Sequence, residues 1–156
     1  MSQPCTDSLY AATSYLFTLL DDAKATFTPA VQDVFYGDQK QIPRTPAITV
    51  AASQKARELA GAPRRIENTF EVFINVYFSN VRGIELNHRG ADELAEAVEA
   101  KVHADITFGG LVINSMVVLN EAGFLNRDNS QFRGSRLIVR AMSKTMLPLA
   151  PGYNQP

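Results

Sequence analysis

The most constraining feature of this chain is a run of alternating residues between positions 66 and 78. Its large apolar members stand at every second position: Phe70, Val72, Ile74, Val76 and Phe78. This period of two predicts a β-strand with one face directed into a core. The intervening residues include Phe73 and Tyr77, so the second face is partly apolar as well. We therefore expect that face to be covered, by the chain itself or by a neighbouring subunit.

Two other segments have the apolar spacing of amphipathic helices. The first follows a cap at Asp7 or Ser8, and its apolar stripe is Leu9, Ala12, Leu16, Leu19, Leu20 and Ala23. The second follows Asn87, and its buried stripe is predicted to be Ala91, Leu94, Ala95, Val98 and Val102. Each helix needs a surface on which to bury its stripe, and a sheet face supplies one.

The remaining apolar runs predict four further strands. They lie at residues 34–36, 47–50, 111–119 and 135–142, whereas 51–65 resemble a loop or hairpin tip and 120–130 a turn-rich stretch. The order is helix, three strands, helix, two strands. It predicts an α+β fold, a mostly antiparallel sheet of about five strands with both helices packed on one face. We expect one domain over residues 1–147 and an extended or mobile tail over 148–156.

Composition indicates a globular protein made in a reducing compartment. Hydrophobic residues make up 46% of the 156 residues and charged residues 20%. The single cysteine, Cys5, excludes an internal disulfide framework. The first residues lack the basic segment and apolar run of a signal peptide, and no apolar stretch approaches the roughly 20 residues of a membrane span. We expect the protein to form in the cytoplasm.

Charge is distributed in blocks, although the formal net charge is only −1. Residues 1–38 and 85–105 are mainly acidic, and residues 39–66 and 122–156 mainly basic. Such blocks suit a surface that pairs with another copy of the chain; alternatively they meet within one fold or are solvated. The candidate subunit-interface residues are Arg44, Arg57, Arg64, Arg65, Phe73, Tyr77, Asp92, Glu93, Glu96 and Glu99.

No motif predicts catalysis, a metal or a cofactor. Gly109-Gly110 lacks the Lys and Ser/Thr of a phosphate loop. His88 and His103 lie at opposite ends of one predicted helix, so they cannot share a metal. Acidic residues such as Asp92 and Glu96 share a helical face, but exposed helical faces carry acidic residues by default. We predict a protein that is not an enzyme and needs no cofactor.

Basic side chains offer an alternative role in lining a passage for DNA. The candidates are Lys40, Arg64, Arg65, Arg136 and Arg140. A sequence pI near 6.1 argues against a specific DNA reader, because such domains are usually clearly basic. Contact with DNA phosphates, without sequence specificity, stays open.

Five stretches together resemble the tail terminator and related neck proteins of long-tailed bacteriophages. They are Tyr-Gly-Asp-Gln-Lys-Gln-Ile-Pro-Arg-Thr-Pro-Ala-Ile at 36–48, Arg-Glu-Leu-Ala-Gly at 57–61 leading to Arg65, the aromatic strand 70–78, Asp-Glu-Leu-Ala-Glu-Ala-Val-Glu at 92–99, and Ala-Met-Ser-Lys at 141–144. The resemblance spans roughly residues 7–147, and none of these stretches is a catalytic motif.

The resemblance implies a structural virion protein with the same order of helices and strands. Such a protein forms a ring of six identical copies that caps the tail tube and joins it to the head-side connector. Its partners would be itself, the tail tube protein, a connector or stopper protein and passing DNA, and it would be assembled in the host cytoplasm. The alternatives are another neck protein, such as a connector or tail-completion protein, a small dimeric α+β binding module outside any virus, and an enzyme that uses Cys5 or a carboxylate cluster.

Overall fold

A computed structural model describes residues 8–59, 61, 65–80, 88–128 and 130–146. The helices and strands follow the predicted order: α1 Leu9–Ala23, β1 Asp33–Tyr36, β2 Ala47–Leu59, β3 Arg65–Asn80, α2 His88–His103, β4 Asn114–Arg127 and β5 Ser130–Met146. The α+β class is therefore confirmed. The predictions for Cys5, Arg64 and the tail 148–156 lie outside the described residues.

The five strands form one sheet in the order β1-β2-β3-β5-β4. β1 pairs with β2 in parallel, and every other neighbouring pair is antiparallel. The mostly antiparallel sheet predicted from the sequence is thus confirmed. β4 lies at one edge, and the four-residue β1 lies at the other.

Three strands are longer than their apolar patterns predict. Residues 51–59 continue β2 instead of forming a loop, and residues 120–127 continue β4 instead of a turn-rich stretch. β5 begins at Ser130, five residues before its predicted start. The extensions of β2 and β4 carry few buried side chains, and in the extension of β5 the buried residues Phe132, Arg133 and Gly134 are consecutive. Neither pattern shows a period of two that sequence reasoning could detect.

Both helices pack on one face of the sheet and form the main core. Leu16 and Leu20 of α1 and Leu94 and Val98 of α2 are fully buried against that face. Burying each such side chain contributes about 1.5–3 kcal/mol. Leu19, predicted in the first stripe, is only half-buried.

α1 begins with a side-chain cap. The Ser8 hydroxyl accepts a hydrogen bond from the Ala11 amide at 3.1 Å, which fits one of the two predicted caps. Such a cap stabilises a helix by about 1 kcal/mol.

A smaller apolar cluster lies on the opposite face of the sheet. Ile42, from the segment between β1 and β2, packs over Ala47, Tyr77 and Phe132. This segment is held at its far end by Arg44, which donates two hydrogen bonds to the Asp33 carboxylate, at 2.7 and 3.0 Å. One end of the second face is therefore covered by the chain itself.

Candidate subunit-interface surfaces

The sheet face opposite the helices, here called the open face, carries an apolar row across four strands. Ala51, Phe73, Ile138 and Leu119 lie side by side in the strand register. Phe73 and Ile138 are half-buried, and 42% of Leu119 is exposed. The Arg136 guanidinium lies over the Phe73 ring, 5.3 Å from its centroid. The row thus remains partly accessible in a single copy.

Polar rows flank the apolar row on both sides. Arg136 donates to the Asn75 side-chain oxygen at 3.2 Å, and Arg140 pairs with Glu71 at 3.5 Å. Both arginines were candidates for a DNA passage, and both lie on the open face. Glu71 balances the charge of Arg140, whereas the acceptor of Arg136 is a neutral amide oxygen.

Beyond Arg140 the open face is concave. A depression of about 510 Å³ lies among side chains that include Met116, Val118 and Met142. Met116 is 57% exposed. A flexible thioether adapts to differently shaped surfaces, which suits a contact region.

Tyr77 is buried by its own chain. Its ring meets Phe132 edge-on at 5.4 Å, and the Arg127 guanidinium lies 5.5 Å from its centroid. Burial raises the pKa of the Tyr77 phenol above its usual value. A fully buried ring presents no surface to a neighbour, so Tyr77 serves the chain's own packing and not a subunit contact in this conformation. Of the two aromatic residues predicted on this face, only Phe73 remains accessible.

The distal parts of β2 and β3, residues 52–59 and 65–72, are here called the ribbon, and β3 pairs on its other side with residues 139–146 of β5. The ribbon extends past β1, whose last residue, Tyr36, pairs with Val50. Arg57 and Arg65 are exposed on the ribbon, and Leu59 is 75% exposed. Arg57 lies on the helix side of the sheet and Arg65 on the open face, so these two predicted interface arginines are exposed on opposite faces of the ribbon.

The acidic residues of α2 have different surroundings. Asp92 pairs with Arg133 at 3.0 Å and Glu93 with Arg89 at 2.8 Å. The Glu99 carboxylate accepts a hydrogen bond from the Asn120 amide at 3.2 Å, and Glu96 is exposed. Glu99 thus faces β4 and Glu96 is exposed, while Asp92 is engaged within the chain.

Arg44 and Lys40, both in the segment between β1 and β2, also have different surroundings. Arg44, through its hydrogen bonds to Asp33, lowers the pKa of that carboxyl below its usual value. Its role is to fix the segment before β2 to β1. Lys40 is exposed in that segment.

Sequence reasoning missed the turn that links α2 to β4. The Asp105 carboxylate accepts hydrogen bonds from the Thr107 hydroxyl, the Thr107 and Gly109 amides and the Tyr15 hydroxyl, at 2.7 to 3.1 Å. The Tyr15 ring stacks on Phe108, with centroids 4.9 Å apart. An Asp two residues before a Thr and shortly before Gly-Gly is a turn signal that could have indicated it.

Two of the side chains considered for chemistry have structural partners. The His103 Nε2 atom accepts a hydrogen bond from the Val117 amide at 2.9 Å, at the irregularity in the β4 register. Asp92 is held by Arg133. Within the described ranges no three His, Cys, Asp or Glu side chains are grouped to hold a metal. None of the described helices has both the length and the apolarity to cross a membrane.

Comparisons with known proteins give no family for this chain. No protein-family model and no curated protein matches it. One solved structure that it resembles shares 18% sequence identity, with 91% of this chain and 99% of the other covered, at a TM-score of 0.44. Identity and TM-score at these levels do not indicate a function.

Proposed function

We propose that this chain is a structural ring subunit of a long-tailed bacteriophage, a tail terminator. Six copies would cap the tail tube and join it to the head-side connector. The proposal starts from the sequence resemblance over roughly residues 7–147. The observation that supports it best is the open face, whose apolar row is left partly accessible by the chain's own elements.

The physical argument concerns what covers this row. An apolar strip flanked by charged side chains is typical of a surface that another protein covers, with the polar residues at the rim. In a ring of six copies, every copy presents the same apolar strip, so one set of residues provides six equivalent contact surfaces. Two of the strands that form the row, β2 and β3, continue into the ribbon, where β2 extends beyond the end of β1.

The ionisable side chains also support a structural role. Asp92 and Asp105, together with His103, engage in contacts that hold α2, the following turn and β4 in place. A catalytic acid or base must instead be directed toward a substrate. Their use in the scaffold favours a protein whose work is to present surfaces.

The proposal is tested by locating the chain in particles. The gene would be tagged in the genome that encodes it, and particles would be purified and labelled for electron microscopy. We expect label at the head-proximal end of each tail, and we expect a null mutant to yield unjoined heads and tails. Wild-type copies supplied in trans should restore joined particles.

Other outcomes separate the alternatives. Label on the head side of the junction would assign the chain to a connector. A chain absent from all particles, with normal particle yield in the null mutant, would reject a virion role. If that chain were dimeric in solution, a small binding module would be the better description.

A further inference from the structure

The two edges of the sheet differ in how much of each is already paired. β1 covers only Ala47–Val50 of β2, so none of the described strands pairs with the outer side of residues 52–59. At the other edge, none of them pairs with the outer side of β4, which is 14 residues long. An unpaired strand edge is a template for another strand, because its amides and carbonyls point outward.

Strand direction makes the two edges compatible with each other. β2 and β5 run in one direction, and β3 and β4 run in the opposite one. When two copies stand side by side in the same orientation, β4 of the first therefore meets β2 of the second as an antiparallel pair. Antiparallel pairing is slightly more stable per residue than parallel pairing.

The charges beside the two edges are opposite. Glu121 lies on β4, Glu99 of α2 accepts a hydrogen bond from Asn120 of β4, and Glu96 is exposed on α2 three residues before Glu99. Lys55 and Arg57 lie on the ribbon, at the edge of β2.

Four of these five side chains also share the helix side of the sheet. Lys55 lies over the ring of Phe70, a residue of the helix-side core, and Arg57 is two positions further along the same strand. Glu96 and Glu99 are on α2. A sheet that continues from one copy to the next keeps all helices on one side, so these opposite charges can meet.

We propose that the outer edge of the ribbon of one copy pairs with β4 of a second copy, and that this pairing repeats around the ring. The closure of these contacts into a ring rests on the proposed function of the chain as a ring subunit. A contact between two different surfaces repeats from copy to copy and closes into a ring when the rotation between copies allows it, whereas a contact between two identical surfaces stops at a dimer. Pairing β4 with β4 would also bring Glu96, Glu99 and Glu121 toward their own copies, which like-charge repulsion disfavours.

A charge exchange tests the choice of partners. The first variant carries Glu96→Lys, Glu99→Lys and Glu121→Lys, and the second carries Lys55→Glu and Arg57→Glu. We expect each alone to associate at least about ten-fold more weakly than wild type, measured by native mass spectrometry across a concentration series. An equimolar mixture should recover association, because each altered edge then meets a complementary one.

A matched control changes two lysines that lie on neither β2 nor β4. Lys40→Glu with Lys144→Glu alters the net charge as much as the second variant does, and both residues are exposed. This variant should assemble as wild type does. Melting curves of all variants show that each is folded before association is compared.

Hydrogen exchange tests the backbone pairing itself. On assembly of the wild-type chain, amides in residues 53–58 and 116–121 should exchange at least about ten-fold more slowly, since edge pairing creates new hydrogen bonds there. Docking through side chains alone would leave these amides unchanged and would overturn the proposal. Failure of the mixture to recover, wild-type dimers that go no further, or a wild-type chain that stays monomeric up to its solubility limit would overturn it too.

These results are separable from the proposed function. Edge-paired rings that are absent from particles would reject the tail role and keep the pairing. Label at the tail end without protection of these amides would keep the role and reject the pairing.

Discussion

The Arg133 guanidinium donates to Asp92 at 3.0 Å and to the carbonyl oxygen of Gly123 at 3.1 Å, so one side chain joins α2 to both β4 and β5. Only 9% of the Arg133 side chain is exposed, whereas 51% of Asp92 is. The sequence interpretation assigned Asp92 to a neighbouring subunit. In the fold, this carboxylate anchors its own helix.

Replacing Arg133 should therefore cost stability. Arg133→Met removes both hydrogen bonds while keeping much of the side-chain volume, and we expect the free energy of unfolding to fall by about 1–3 kcal/mol. Arg89→Met removes the exposed pair with Glu93 and should change it by less than about 0.5 kcal/mol. Urea denaturation of the two variants makes the comparison. Equal losses would show that the buried position of Arg133 confers no advantage.

Gly134 and Gly123, which face each other across β5 and β4, give a matched pair of substitutions. A Cβ at Gly134 would overlap the Val76 carbonyl oxygen, whereas a Cβ at Gly123 would meet open space. We expect Gly134→Ala to lower the free energy of unfolding by more than about 2 kcal/mol and Gly123→Ala to change it by less than about 1 kcal/mol. Melting temperatures will rank them. A harmless Gly134→Ala would mean that β3 and β5 lie further apart than described.

Asp105 should make stability depend on pH at the acidic end. Hydrogen bonds from the Thr107 hydroxyl, then from the Gly109 and Thr107 amides, lower the pKa of Asp105 below its usual value. The folded state thus favours the charged carboxylate, and this stabilisation is complete above the unfolded pKa of about 3.9. It is lost as pH falls through the lower folded pKa.

The measurement compares wild type with Asp105→Asn across pH. The stability difference should be constant above about pH 5 and shrink below about pH 4. Asp22→Asn, at an exposed position of α1, is the control for removing a carboxylate elsewhere on the surface. A pH-independent difference for Asp105→Asn would exclude the charged carboxylate as the cause.

The sequence predicts those parts of the fold that bury side chains against the helices. One face of each of these elements is buried away from water. This burial produces the alternation from Phe70 to Phe78 and the apolar stripes of both helices. The extensions of β2 and β4 carry no such signal, since residues such as Gln54 and Glu121 are exposed whether they stand in a strand or a loop. Only pairing with the next strand along the chain determines their conformation.

The candidate interface was predictable in kind but not residue by residue. Charge blocks and a partly apolar second face can be read from the sequence, and Phe73 and Arg57 do lie at the surface. Which charges are used internally depends on distant contacts, as Asp33 with Arg44 and Asp92 with Arg133 show. The burial of Tyr77 depends on Ile42, 35 positions away in the numbering, and no local pattern encodes that contact.

The last prediction concerns Phe73, which lies in the middle of the open face. Since it is not part of the helix-side core, Phe73→Asp should leave the chain folded, with a native circular dichroism spectrum. An aspartate side chain in a covered apolar row loses its hydrating water and gains no apolar contact in return, which costs free energy. If a neighbouring copy covers the row, ring assembly should weaken by at least about 2 kcal/mol, roughly thirty-fold in the dissociation constant. In a ring joined only through strand edges, the open face stays on one side of the continuous sheet, and Phe73→Asp should leave assembly unchanged.

Two further variants make the result specific. Leu119→Asp, in the same row, should weaken assembly in the same direction. Tyr10→Asp removes an aromatic ring that is 70% exposed on the helix side, and it should leave assembly unchanged. Sedimentation of each variant over a range of concentrations provides the measurement. Assembly of Phe73→Asp at wild-type concentrations would show that the row is not covered by a neighbouring copy, and that the open face must serve another purpose.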